Sequence, residues 1–320
     1  GCEPCIANVV RTCLRYGNME TLENGYGISL LPLASFALDT YKDAPCDTFT
    51  PKVAPDSSFS AQEIRLMAQM QKAIAVIQFK LESQVIRRRP QYQMEDRLLL
   101  RKIDYARGVI RLANVEYPLL DTFFPTIDPA DPEALTVEEQ AVVDKLILSF
   151  TSSQKLHQHI RFLFSAGSLY RIHDGNLLYH GCIAMNDDGS FRTFNVDGKS
   201  FAGKAFLDRV ERLARQGYFD TDHPAQKRYG MDAMWFLWCA PMSPLFGKDQ
   251  MTTFERYLIA DKATHVEKRN AYYTLRDTEE SARKILQEFG LDPNRGIIIN
   301  GHVPVKVTKG ERPIKANGRL

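Results

Sequence analysis

Cysteine is scarce in this sequence: six occur among 320 residues, at positions 2, 5, 13, 46, 182 and 239. That density and irregular spacing exclude a small disulfide-stapled secreted scaffold and suit reduced thiols in a cytoplasm. Cys2 and Cys5 have the spacing of a zinc-ligand pair, but no second pair with matching spacing lies nearby, so no zinc site is expected there. No apolar run approaches the roughly 18 residues of a membrane span, and the first residues lack the basic start and apolar stretch of a signal peptide. An excess of charge of either sign is also missing. The 41 Lys and Arg face 39 Asp and Glu, a formal net charge of +2. This balance excludes a general nucleic-acid or membrane-surface binder and leaves any anionic partner to a local cluster. Internal repeats and low-complexity tracts are absent.

What is present is a 44% hydrophobic chain, long enough for a substantial core and two subdomains. Ile64, Met67, Met70, Ile74, Ile77 and Leu81 recur at mostly three- and four-residue intervals and predict one face of a long amphipathic helix over 61–86. A second helical pattern runs from about 93 to 107. Val109 to Leu119 reads as two short strands around a turn at Asn114. After an acidic, Pro-containing linker over 121–135, Thr136 and Glu139 fit a capping box opening a helix that reaches about Leu148, and a further helix covers 153–166.

From Ser168 the period changes. Ser168 to Ile172, Leu177 to Met185 and Phe191 to Val196 are strand candidates separated by Asp-Gly turns, which reads as an antiparallel meander. Helices are expected at 203–216, 230–238, 251–260 and 278–289, the last capped by Asp277 and Glu280 and ended by Gly290. Gly296 to Asn300 is a buried strand, and Lys315 to Leu320 looks like a hairpin turn entering a strand. The fold class is α+β or α/β, with a helical subdomain over 55–166 and an α/β subdomain over 167–320.

Two segments carry candidate chemistry. Leu177 to Cys182 delivers His180 at the end of an apolar strand with Gly181 behind it, and Ile297 to Lys306 repeats the arrangement with Gly301 and His302. Such a histidine can point a ring nitrogen into a cleft, while the glycine admits close backbone approach. Each alone is as well explained by hydrogen-bonded packing, but two strand-end histidines can converge at one sheet edge.

Leu156 to Tyr170, Leu177 to Ile183, Ser243 to Lys248, Met251 to Tyr257 and Asn300 to Lys306 together resemble the class III (Firmicutes-type) fructose-1,6-bisphosphatases. That family falls within the calcineurin-like metallophosphoesterases, and the likeness covers essentially the whole chain. The resemblance implies a β-sandwich flanked by helices. Residues 1–54 would be an N-terminal segment continuing that core, 55–166 a mainly helical insertion with a small hairpin, and 167–320 the α/β portion of the core. It also implies hydrolysis of the 1-phosphate of fructose 1,6-bisphosphate to fructose 6-phosphate in gluconeogenesis, assisted by two Mn2+ or Mg2+ ions without a covalent intermediate. His180 and His302 would match the fourth and fifth metal motifs and ligate one ion. The partner would be a small sugar bisphosphate, with no nucleic acid and no membrane, in a cytoplasmic protein.

The family's Asp-x-His, Gly-Asp-x-x-Asp and Gly-Asn-His-Asp motifs do not occur here. Gly1 to Val10 resembles the stretch just downstream of the last of them, so the expectation is an internal fragment of a longer chain, with little activity and weak Mn2+ binding by itself. Pro304 stands where many metallophosphoesterases have a further histidine. For substrate phosphates the candidates are Lys248, Arg256, Lys262, Lys306, Arg312 and Lys315, each of which also reads as a solvated surface charge. Trp235 and Trp238 suit core packing better than a sugar-pocket wall. Arg87 to Arg89 suit a solvated helix end better than an anion site. Two alternatives stay open: another phosphatase of the same fold, acting on protein or nucleotide, and a non-catalytic binding or regulatory domain.

Overall fold

A computed structural model describes residues 2–54, 57–196, 198–241 and 243–320; the subdomain start expected at residue 55 lies outside these. The elements in chain order are α1 (Glu3–Arg15), α2 (Met19–Tyr26), α3 (Leu31–Thr40), α4 (Ala61–Arg88), β1 (Ile103–Asp104), β2 (Val109–Leu112) and β3 (Val115–Pro118). Next come α5 (Val137–Ser152), α6 (Gln154–Ala166), β4 (Tyr170–His173), β5 (Asn176–Tyr179), β6 (Phe194–Val196), β7 (Lys199–Phe201), α7 (Gly203–Phe219) and α8 (Pro224–Cys239). The chain ends with α9 (Thr253–Leu258), α10 (Tyr272–Leu275), α11 (Glu279–Glu288) and β8 (Ile298–Asn300). The fold is thus a mixture of helices and small sheets. No helix among the described residues is long and apolar enough to cross a membrane.

The chain divides into two compact units, one of Gly1–Arg161 with Thr252–Val266, the other of Phe162–Met251 with Glu267–Leu320. The first is built on α4. Its N-terminus is fixed by a capping box, in which Ser60 Oγ accepts from Glu63 N and Glu63 Oε2 accepts from Ser60 N. The apolar face expected from spacing is buried from Met67 to Leu81, but so are Gln69, Gln71, Lys72, Gln78 and Lys80. The helix is therefore enclosed on all sides rather than amphipathic. Most of these polar groups find partners inside: Lys72 Nζ pairs with Asp121 at 2.6 Å, Lys80 Nζ with Glu139 at 2.7 Å, and Gln69 donates to the carbonyls of Tyr41 and Lys42, while Gln71 Nε2 is left without one. Residues 3–40, for which the sequence pattern named no element, form α1 to α3 and bury Val10, Leu14, Leu33 and Ala37 against α4.

The Thr136–Glu139 capping box and the hairpin β2–β3 form where expected, with Ala113 at φ +50 in the turn. The helical pattern at 93–107 does not become a helix. It is broken into short 3-10 turns at Glu95–Arg97 and Leu99–Lys102 before β1, and there Arg97 and Arg101 form ion pairs with Glu255 and Glu133. Arg87 and Arg88 close α4, and Arg87 pairs with Glu133 at 3.5 Å. Cys2 and Cys5, expected as thiols, form a disulfide, while Cys13, Cys46, Cys182 and Cys239 are not disulfide-bonded.

In the second unit, β4 and β5 make an antiparallel hairpin through Asp174 (φ +48) and Gly175 (φ +73). Beyond it the expected meander survives as a short 185–192 hairpin, in which Met185 and Phe191 form an antiparallel bridge and Arg192 N donates to Ala184 O at 2.9 Å. The other neighbour of β5 is β8, which runs parallel to it, and among the described residues β6 pairs with β7. Leu177, Tyr179 and Ile298 pack with Phe289 and with Ile285 and Leu286 of α11, which Thr278 caps by accepting from Ser281 N, in place of Asp277 and Glu280. Trp235 is buried on α8 and Trp238 half-buried. The C-terminal Ala316–Gly318 forms a 3-10 turn, not a hairpin entering a strand, and Arg319 O accepts from Ile298 N.

Candidate metal and phosphate site

In the parallel pair β5–β8, Tyr179 lies opposite Asn300. The residues after each strand therefore leave the sheet together at its carboxyl end, where open α/β sheets place their ligands. Those residues are His180-Gly181 and Gly301-His302. His302 Nδ1 stands 3.3 Å from His180 Nε2, and the two rings meet at 85° with centroids 5.2 Å apart.

Local chemistry forces this meeting. A Cβ at position 181 would lie 1.7 Å from the carbonyl oxygen of Pro244, to which Cys182 N donates at 2.8 Å, so only glycine passes there. A Cβ at position 301 would come within 3.1 Å of His180 Nδ1. Asn300 then ties the two loops together: its Nδ2 donates to the carbonyls of His180 (3.1 Å) and Gly181 (2.8 Å), and its Oδ1 accepts from Arg276 at 2.8 Å. His302 itself sits at φ +61, a left-handed conformation that costs a non-glycine residue about 1 kcal/mol or more and that clusters at functional sites.

Partial burial lowers the pKa of His302, and the charges of His180, Lys248, Arg269 and Arg276 lower it further. The ring is thereby kept neutral near pH 7, with a lone pair to offer. Two nitrogens each about 2.1 Å from a shared ion, at tetrahedral to octahedral angles, stand roughly 3.0–3.4 Å apart. The observed 3.3 Å falls in that range, as it does in that of a ring-to-ring hydrogen bond, so the separation admits two ligands of one divalent ion. It is not a complete set: among the described residues no group of three or more His, Cys, Asp or Glu could hold a metal.

The cations expected at substrate phosphates fall in different places. Lys248 acts on His302 and pairs with Glu267 at 2.6 Å. Lys306 and Arg312 are exposed, and Lys315 binds Asp277 at 3.0 Å. Arg256 and Lys262 belong to the first unit, where Arg256 donates to Thr252 Oγ1 and to the carbonyl of His265. Arg269, Arg276, Tyr273 and Asn300 were not singled out from sequence. The ring of Tyr273 lies 6.4 Å from that of His302, and both arginines stack on it, Arg269 at 5.7 Å and Arg276 at 5.2 Å. Asn300 carried a signal, standing directly before Gly301-His302. The other three come from the short helix α10 and the residues flanking it, whose spacing says nothing of β8.

All of residues 1–320 match the family described as Firmicute fructose-1,6-bisphosphatase. The class 3 fructose-1,6-bisphosphatase of Alkaliphilus metalliredigens is 53% identical over 322 residues, which cover 100% of this chain and 48% of that protein. Those of Bacteroides fragilis and Clostridioides difficile are each 53% identical, over 321 and 320 residues, again covering 100% of this chain and 48% of theirs. The chain thus spans about half the length of the curated relatives it matches. No solved structure matches it.

Proposed function

The chain belongs to the Firmicute fructose-1,6-bisphosphatase family, and on that premise we propose that the full-length protein removes the 1-phosphate of fructose 1,6-bisphosphate, giving fructose 6-phosphate and phosphate for gluconeogenesis in the cytoplasm. The observation that carries the chemistry is the nitrogen-to-nitrogen approach of His180 and His302 at 3.3 Å. In this reading the pair holds one ion of a Mn2+ or Mg2+ site in a calcineurin-like core whose other ligands lie outside these 320 residues. A divalent cation in such a site polarises a phosphoryl oxygen and lowers the pKa of water near neutrality.

This chain's own residues have three tasks. His180 and His302 present neutral imidazoles, and the depressed pKa of His302 keeps its donor available as the solution becomes more acid. Asn300 and Arg276 fix the two loops, so neither ring must reorganise on binding. Arg269 places positive charge beside the pair, where it attracts a phosphate dianion and offsets its charge.

His180→Ala and His302→Ala in the full-length protein are expected each to cost at least about 100-fold in turnover, while the thermal midpoint moves by no more than about 3 °C. Both side chains are exposed and fill no core. Steady-state rates and thermal unfolding of the two variants check this, and near-normal rates in both would defeat the assignment.

A further inference from the structure

A cleft of about 280 Å3 lies in the second unit, bounded by the 185–192 hairpin, Lys248-Asp249 and the 268–271 segment. It is a built feature. Asn270 holds the three segments together: its Oδ1 accepts from Met185 N at 3.0 Å, its Nδ2 donates to Met185 O at 3.2 Å, and its N donates to Gly247 O at 2.9 Å. Asp249 N donates to Lys268 O at 2.9 Å, and Lys268 N returns a bond to Asp249 Oδ1 at 2.8 Å.

Arg192, Lys248, Lys268 and Arg269 line the cleft against Asp187 and Asp249. Lys248 is already neutralised by Glu267, and the carboxylate of Asp249 is engaged by backbone. Among the described residues, Arg192, Lys268 and Arg269 have no acidic partner. With Glu267 set against Lys248, three uncommitted cations face the carboxylates of Asp187 and Asp249, which leaves the cleft a small positive excess that an anion would offset. Arg269 also connects the cleft to the histidines, since it stacks on Tyr273, whose ring lies beside that of His302.

We propose that this cleft holds the phosphate that is not hydrolysed, with Arg192 and Lys268 as specificity-determining residues and Arg269 between the two anion positions. The inference rests on the bisphosphate reading above and extends it: the histidine pair takes the reacting phosphate, and the cleft selects substrates carrying a second one. Binding energy at a remote, unreactive group is a general means of holding the reacting group in place.

The test compares fructose 1,6-bisphosphate with fructose 1-phosphate, which lacks the second anion, on the full-length protein. The double variant Arg192→Ala/Lys268→Ala should lower the ratio of kcat/KM between bisphosphate and monophosphate by on the order of 10- to 100-fold, chiefly through KM for the bisphosphate. Arg192→Lys/Lys268→Arg, which keeps the charges, should restore most of the ratio. An unchanged ratio in the alanine variant, whether both substrates suffer alike or neither does, overturns the proposal. Failure of the wild-type protein to cleave the bisphosphate overturns instead the functional reading on which it stands.

Discussion

A histidine at φ +61 is held there by its surroundings, and at position 302 those surroundings are a second histidine at 3.3 Å, a tyrosine ring and a glycine that leaves room for both. Because burial and then the charge of His180 lower its pKa, His302 should titrate below the ordinary value of 6.5. In His180→Ala its pKa should rise yet stay below that value, since the larger cause remains. The unfolded chain takes up the proton first, so stability is lost as pH falls from about 6.5 toward the folded pKa and is unaffected above it. Histidine NMR titration of the metal-free protein measures both pKa values, and one unmoved by removal of His180 would contradict the electrostatic account. Asn300→Leu, which keeps volume but loses the bonds to the His180 and Gly181 carbonyls, should cost roughly 10- to 100-fold in metal affinity or turnover. Activity assays on that variant check whether the loops need tying. At this scale the sequence disclosed the two histidines and their glycines, because a strand-end His beside Gly is a local pattern. It did not disclose Arg269 or Tyr273, whose roles arise from α10 and the loop before it lying beside another strand's end.

Helix α4 shows how far periodicity reaches at the level of the element. Its apolar positions were legible, as were the Thr136–Glu139 capping box and the β2–β3 hairpin, since each depends on residues a few positions apart. That Lys72 and Lys80 would be fully buried was not legible, because their partners Asp121 and Glu139 arrive from distant segments. The same reason hid the pairing of β5 with β8 behind an expected meander. The Lys80–Glu139 pair, fully enclosed on both sides, makes a sharp prediction. Lys80→Met leaves an uncompensated buried carboxylate and should destabilise the protein by about 3–5 kcal/mol. Adding Glu139→Gln, which keeps an acceptor for Thr136 N, should recover at least half of that loss. Urea unfolding of the two variants and the parent decides it; equal stability of single and double variants would show that the pair is not coupled.

The whole molecule forms two compact units, and the chain spans about half the length of its curated relatives. Its proposed contribution to a metal site is two nitrogens fixed at the ends of two parallel strands. As an isolated polypeptide it should therefore bind Mn2+ weakly and turn over little sugar bisphosphate, which calorimetry and a phosphate-release assay would show. The central claim is that these two imidazoles share one cation, and the most direct measurement is pulsed EPR of the Mn2+-loaded full-length protein. Two histidine nitrogen couplings to Mn2+ are predicted, one disappearing in His180→Ala and the other in His302→Ala. A spectrum that neither substitution changes would contradict the account.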